Sequence, residues 1–583
     1  MLSLFGSGIG RGIAIGSAYV LKNSDIETPH YKIGKDDIRS EVARFRVAVA
    51  NTEKQYKKIL KQLPSDAPKE SAAFINAHMM MLRDPLLVDE TESIIEKDMV
   101  NAEYAVSQQA RNIIKMFAQI QDPYLRNKKT DVQHIINRLL RNLLGIVTHD
   151  LDEFNNEDLS GKIIVSKDLS PAETMFLKDR KVSSFVTDLG SQISHTAVVA
   201  RSLRLPAVVG LHGSSRYIID NDLLIVDGMR GIILVNPSAK VLKEYKGMQR
   251  KIREREKLLT NLTQKPTKTH DGKKVHLMAN IESLSELKMV KHTNAWGVGL
   301  FRTEYLFMNR QTAPTEAEQF KVYKRAVTQL NNKPVVIRTL DIGGDKQLDF
   351  DYPQKSSSVS PLGLRAVRLC LSHTDLFKPQ LRAILRASAF GKASILIPML
   401  SNLDEINQVL GIIKQTKSEL KREGVKFDSR IRIGGMIEVP ASAIMADLFA
   451  QKLDFLSIGT NDLIQYTLAI NRIDDAVNYL YDPIHPAVLN LIKGVIKAGK
   501  KANIPVTLCG EMAGNVQYTR LLLGLGLDNF SMDANYLLDV KETLLKTDTN
   551  KLKYQVRQIL GAENPSKARD LLTKLNSNIS SQD

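Results

Sequence analysis

The sequence predicts a multidomain α/β protein: a small α/β domain interrupted by a block of helices, then a helical linker, then a (β/α)8 TIM barrel. Three observations predict it. The chain has 583 residues, far beyond the size at which one hydrophobic core stops growing. Residues 35–144 carry helical periodicity, with short β-like runs on either side. The second half alternates eight apolar runs with helical segments, the pattern a parallel barrel requires.

In chain order, the first β-like run spans 13–21, and three more at 162–166, 182–187 and 223–227 follow the helical block. Within the block, Ile38, Val42, Phe45 and Val49 recur at three- and four-residue steps, so long paired helices are expected. The block reads as an insertion into the small domain. From 238 to 263 charged and apolar residues alternate at helical spacing, and Lys265-Pro266 discourages continuation. The barrel strands are expected at 276–280, 297–301, 334–339, 394–398, 432–439, 454–459, 505–509 and 528–531.

Composition narrows the function classes. Hydrophobic residues make up 43% and charged residues 25%, ordinary globular usage with no low-complexity tract. The net charge of +17 raises nucleic-acid binding as a possibility, but Glu244, Glu254 and Glu256 interrupt the basic stretch 240–257 and no aromatic platform accompanies it. A solvated basic face is the expectation. Two cysteines, Cys370 and Cys509, are too few for a disulfide framework. Residues 1–16 have no basic residue ahead of their apolar stretch, as a secretory signal would, and no run reaches the roughly 18 apolar residues of a membrane helix. A soluble cytoplasmic protein is expected, with no direct membrane insertion.

In TIM barrels the chemistry sits at the carboxyl ends of the strands. The predicted runs close on Asn280, Arg302, Arg338, Glu438, Asn461 with Asp462, and Cys509. Singly, each has a bland explanation, since polar residues commonly cap strands and a Cys is usually a small buried hydrophobe. Together, two arginines and two carboxylates at one rim predict an anionic substrate beside a hard cation: guanidinium forks suit phosphate and carboxylate, and Glu438 and Asp462 offer the oxygen ligands Mg²⁺ prefers.

The stretches GLFRTEYLF at 299–307, RTLDIGGDK at 338–346, GTNDL at 459–463 and CGEMAG at 509–514 resemble the phosphoenolpyruvate-binding domain of the Enzyme I family of the bacterial phosphotransferase system. GSQISHTAVVARSL at 190–203, followed by LPAVVG at 205–210, resembles that family's phosphohistidine segment. The resemblance covers nearly the whole chain in the right order. It implies a phosphohistidine domain at 1–33 and 146–237, an inserted helical carrier-binding subdomain at 34–145, a linker at 238–264 and a phosphoenolpyruvate-binding barrel at 265–583.

The same resemblance implies the chemistry. His195 accepts the phosphoryl group of phosphoenolpyruvate, aided by Thr174. Arg302 and Arg338 grip the phosphate, Asn461, Arg472 and Arg365 help position the substrate, Glu438 and Asp462 carry Mg²⁺, and Cys509 protonates enolpyruvate to pyruvate. The phosphocarrier HPr takes the phosphoryl group onward for sugar uptake, and the chain forms a homodimer through its barrel. Local physics fits the nucleophile: His195 follows a glycine-serine turn and opens an apolar run, where a helix amino terminus favours phosphate, and neutral imidazole is available near pH 7.

Two departures stand out. Where the family usually has Gly-Gly-Arg-Thr this chain has Gly190, Ser191, Gln192 and Ile193, and where it has Asn-Pro before the position of Arg365 this chain has Val359 and Ser360. A pyruvate phosphate dikinase or phosphoenolpyruvate synthase would need a large ATP-binding domain ahead of the histidine, and no phosphate-cradling glycine loop occurs there. A catalytically silent regulatory relative would not require the full set His195, Arg302, Arg338, Glu438, Asp462 and Cys509.

Overall fold

The structure is a computed structural model that describes the chain apart from residues 11, 22–27, 63–68, 120–122, 146–157, 170–179, 191–199, 201–204, 212, 309–311, 343–361, 472–476 and 578–583. His195, Thr174 and Arg472 therefore lie outside the described residues, as do Val359 and Ser360. The chain divides into two compact units, Met1–Arg255 and Glu256–Asp583.

The first unit is built on an eight-stranded sheet of β1 (Leu2–Phe5), β2 (Ser7–Ile9), β3 (Ile13–Val20), β4 (Ile163–Ser166), β5 (Ser184–Thr187), β6 (Ala207–Val209), β7 (Leu223–Asp227) and β8 (Ile232–Val235). Their order is β1-β8-β7-β3-β4-β5-β6-β2, with β3, β4, β5 and β6 parallel and the other pairings antiparallel. Every residue of β4, β5 and β6 is buried, which is why these strands read as continuous apolar runs rather than alternating ones. Strands β1, β2, β6 and β8 add to the four expected from the sequence. The first two are short pieces at opposite ends of the sheet, with three of the four β1 residues exposed, so they carry little apolar signal.

Among the described residues, five helices lie between β3 and β4 in the chain: α1 (Ile38–Gln62), α2 (Lys69–Leu82), α3 (Pro85–Asp98), α4 (Ala102–Gln119) and α5 (Pro123–Leu143). Their shared core includes Phe45, Ile95, Val106 and Leu139. Helix α3 starts where Asp84 accepts a hydrogen bond from the Leu86 amide ahead of Pro85 at the first position, so its beginning is written in the local sequence. Arg44 joins α1 to α4 through paired 2.7 Å contacts to Glu103.

Helix α6 (Ala239–Asn261) is continuous. Its Tyr245 is buried against Ile13, Ile225 and Leu234, and Gln249 donates to the Ile13 carbonyl at 2.7 Å.

The second unit is a closed, all-parallel barrel of β9 (His276–Ile281), β10 (Val298–Phe301), β11 (Val335–Arg338), β12 (Ala393–Ile397), β13 (Arg432–Ile437), β14 (Phe455–Ile458), β15 (Val506–Leu508) and β16 (Asn529–Asp533), with β16 returning to pair β9. Each expected run coincides with one strand to within two residues at either end. The strands are mostly buried, and helices with one apolar face cover them, as in Leu403–Arg422, where Ile406, Val409, Ile413 and Leu420 point inward. No described helix is long and apolar enough to cross a membrane.

Candidate active site

The carboxyl ends of the barrel strands place Arg338, Glu438 and Cys509 directly after or at the end of β11, β13 and β15, all three buried. Arg338 lies among anions. One of its nitrogens is 3.1 Å from Glu304 Oε1 and another 3.0 Å from Asp341 Oδ2. Burial opposes its charge, yet Glu304, Asp341 and Glu438 outweigh that and hold its pKa above the ordinary arginine value. Arg365, at the start of the helix Ala366–Ser372, is also buried. It contacts Asp341 Oδ1 at 2.9 Å, Asp462 Oδ2 at 3.8 Å and the Tyr466 hydroxyl, to which it donates, at 3.1 Å. Among the described residues, the Nε atoms of both arginines are buried without a hydrogen-bond partner, so each guanidinium has a donor left to satisfy.

Around these cations, Asp341, Glu438 and Asp462 present carboxylate oxygens within 4.8 Å of one another. Burial, followed by Asp341 and Asp462, pushes the Glu438 carboxyl up to about 8, against the opposing pull of Arg338. Like charges this close resist simultaneous ionisation. A hard divalent cation would relieve that repulsion with the oxygen donors it prefers, so the donor set fits Mg²⁺. The Met399 amide donates to Glu438 Oε1 at 2.7 Å and holds the carboxylate in place. Gly459 makes room for it: a Cβ there would fall 2.7 Å from Glu438 Oε2.

Cys509 is packed in the barrel interior with Leu300, Leu396 and Met436. Burial raises its pKa above the ordinary thiol value, and the Ser457 hydroxyl, donating to Sγ at 3.2 Å, pulls the other way. The thiol therefore keeps its proton at neutral pH, as a proton donor must. Asn280 braces the same strand end, donating to the Cys509 carbonyl at 3.0 Å while accepting from Ser531 at 2.6 Å.

Arg302 follows β10 and pairs with Glu282 at 2.6 Å, both side chains about one-third exposed. Asn461 exchanges hydrogen bonds with Glu511, its amide donating at 2.9 Å and its carbonyl oxygen accepting the Glu511 amide at 3.0 Å. That pair ties the helix Thr460–Thr467 to the loop after β15. Beneath the rim, Gln380 accepts from the Leu340 amide at 2.9 Å and donates to Thr303 Oγ1 at 3.0 Å, and Thr303 donates to the Arg338 carbonyl at 2.8 Å. Two non-glycine residues at the site, Ala366 and Met399, hold left-handed backbone at φ 51° and 58°, local strain of the kind that collects at functional sites.

Sequence reasoning missed Asp341, Glu304, Tyr466 and Gln380. Asp341 and Glu304 sit inside the stretches 338–346 and 299–307, in loops that leave barrel strands. Extending the strand-end rule by three residues would have found both.

Residues 256–549 match the family described as PEP-utilising enzyme, PEP-binding domain; residues 6–128 match its N-terminal family and residues 159–231 its mobile-domain family. A phosphoenolpyruvate-protein phosphotransferase from Cupriavidus necator is 42% identical over 98% of this chain and 99% of its own. The chain belongs to the phosphoenolpyruvate-protein phosphotransferase family. Another member, from Haemophilus influenzae, is 41% identical over 91% of this chain and 92% of its own, and one from Bacillus subtilis is 39% identical over 94% and 95%. As a member of this family the chain is a phosphotransferase, and the buried guanidinium forks, carboxylate trio and neutral thiol are groups that can bind a phosphorylated acid and return a proton to it.

Proposed function

We propose that the barrel binds phosphoenolpyruvate and that its phosphoryl group passes to His195, with pyruvate as the other product. The observation that carries this reading is the convergence of Arg338 and Arg365 with three carboxylates at the rim, beside a protonated Cys509. In the transfer, the bond between phosphorus and the enol oxygen breaks and a bond from phosphorus to an imidazole nitrogen of His195 forms. The enolate left behind takes the thiol proton of Cys509 at its terminal carbon, and solvent reprotonates the thiolate. Arg302, Arg338 and Arg365 hold the phosphate, Asn461 and Arg472 align the substrate, and Thr174 steadies the phosphohistidine. Alignment and charge neutralisation are the main demands of phosphoryl transfer.

Glu438 and Asp462 would hold Mg²⁺, which when bound supplies positive charge against the substrate's phosphate and carboxylate. Residues 1–33 and 146–237 form the phosphohistidine domain in this reading, 34–145 the docking surface for the carrier HPr, 238–264 the linker and 265–583 the barrel. His195 and the barrel residues belong to different units, so His195 must reach the rim for loading and leave it to meet HPr. The protein works in the cytoplasm as a dimer joined through the barrel. Incubating it with labelled phosphoenolpyruvate, Mg²⁺ and HPr tests the whole scheme: label should appear on His195, then on HPr, with one pyruvate per phosphoryl group. Absence of label on the chain would sink it.

A further inference from the structure

Asp341 stands where neither the strand ends nor the proposed roles assign a task. It is buried, follows β11 by three residues, and each of its oxygens takes a different guanidinium: Oδ2 contacts Arg338 at 3.0 Å and Oδ1 contacts Arg365 at 2.9 Å. A carboxylate bridging two guanidinium groups in this manner occupies them as two oxygens of a phosphate would. The same carboxylate belongs to the cluster with Glu438 and Asp462. Its position is built: its amide donates to Glu304 Oε1 at 3.1 Å, and Glu304 also holds Arg338.

We propose that Asp341 is the positioning residue of the phosphate site, a stand-in anion that fixes Arg338 and Arg365 at the separation a phosphate needs and yields them when the phosphate arrives. This inference rests on the reading of the rim as the phosphoenolpyruvate site. Two buried cations without an anion between them would repel each other and turn toward other partners, so the stand-in keeps the pair preorganised at little reorganisation cost. That the Nε atoms of both arginines have no hydrogen-bond partner among the described residues accords with this arrangement. A carboxylate has two oxygens to offer, whereas a phosphoryl group has three, so the larger anion can use donors that Asp341 leaves over. On giving up the arginines, Asp341 still faces Glu438 and Asp462, where its charge serves the cation site.

A stand-in competes with the ligand it imitates, and that separates this role from a merely structural one. In the full chain, Asp341→Asn removes the competing charge while keeping the side-chain shape. Inorganic phosphate, measured calorimetrically, should then bind about threefold more tightly, because one opposing charge is gone. Pyruvate release at saturating phosphoenolpyruvate should nevertheless fall more than about tenfold, because arginines free to close on the bound phosphate no longer hold it in line for transfer. Mn²⁺ affinity, read by its electron-paramagnetic resonance, should weaken. Asp341→Glu, which keeps the charge, should restore the weaker phosphate binding and serves if the Asn variant does not fold. An unchanged kcat, or phosphate affinity that falls together with kcat, overturns the assignment. If Arg338→Ala also leaves pyruvate release intact, the failure lies with the phosphoenolpyruvate reading of the rim, and the role of Asp341 falls with it.

Discussion

The Ser457 hydroxyl donates to Cys509 Sγ at 3.2 Å, and both residues are buried. Burial is the larger influence on the thiol, and it raises the pKa. The neutral thiol is therefore the resting form, and the first half-reaction should lose rate only as pH climbs above the ordinary thiol range. Ser457→Ala removes the group that lowers the pKa, so the falling limb should move further up. Cys509→Ala should slow pyruvate formation by about a hundredfold or more, the usual scale of a lost general acid, yet leave transfer from already loaded His195 to HPr unchanged. Rapid-quench measurement of both halves decides; equal slowing of the two would make Cys509 a packing residue.

Glu438 gives a second pH signature. Its carboxyl is raised from 4.5 to about 8 in the folded barrel. A raised folded pKa means that stability is fully present below the unfolded value and is lost as pH rises through the folded one. Without divalent cation, the barrel's melting temperature should fall as pH rises from about 4.5 to about 8, the interval between the unfolded and folded values, and level off above it. With Mg²⁺ the loss should be offset, and binding near pH 7 should release protons. Calorimetry in buffers of different ionisation enthalpy reads both; a Glu438→Gln variant that keeps the same pH dependence would show that another group is responsible.

Gly459 offers a steric test of the same carboxylate. Its φ of −88° suits any residue, so an added methyl acts only through space, and it would meet Glu438 Oε2 at 2.7 Å and Glu438 Cβ at 3.0 Å. Gly459→Ala should therefore displace Glu438, weaken Mg²⁺ binding by about tenfold and cost about 1–3 kcal/mol of stability through overpacking. Titration with Mn²⁺ and thermal melting should move together; full cation affinity in a destabilised variant would place the strain elsewhere.

His195→Ala should abolish acid-labile phosphorylation while the barrel still binds phosphoenolpyruvate, because the proposed nucleophile and the proposed substrate site belong to different units of the chain. Labelling of the variant at another histidine would show that the acceptor was wrongly chosen.

Cutting the chain extends that argument. A fragment of about 260 residues from the amino end holds His195 and the five helices α1–α5, and should accept phosphate backwards from phosphorylated HPr but not from phosphoenolpyruvate, whose proposed ligands all lie beyond the cut. The remaining fragment should bind phosphoenolpyruvate and Mg²⁺ and stay unlabelled. Efficient labelling of the amino-terminal fragment by phosphoenolpyruvate alone would contradict a two-site mechanism.

The barrel was legible in the sequence because its strands are buried and flanked by helices, so each appears as a short apolar run at regular intervals. Strand-end logic then reached Arg302, Arg338, Glu438 and Cys509, whose side chains stand at or just past the last strand residue. It did not reach Asp341, whose importance comes from Arg365, 24 residues later, and from Asp462, across the rim. No local pattern encodes such a meeting. In the first unit, β6 and β8 are apolar but only three and four residues long, too short for their composition to stand out as a strand in the sequence.

Gln380 shows what the rim demands of residues that never meet a substrate. One side-chain amide is bonded to both the loop after β10, through Thr303, and the loop after β11, through Leu340. The loop that carries Arg302 and the loop that follows Arg338 are thereby yoked. A screen that randomises Thr303 and Gln380 separately should recover almost nothing but the starting residues, whereas one that randomises them as a pair would reveal whatever alternative couplings can carry the same two loops.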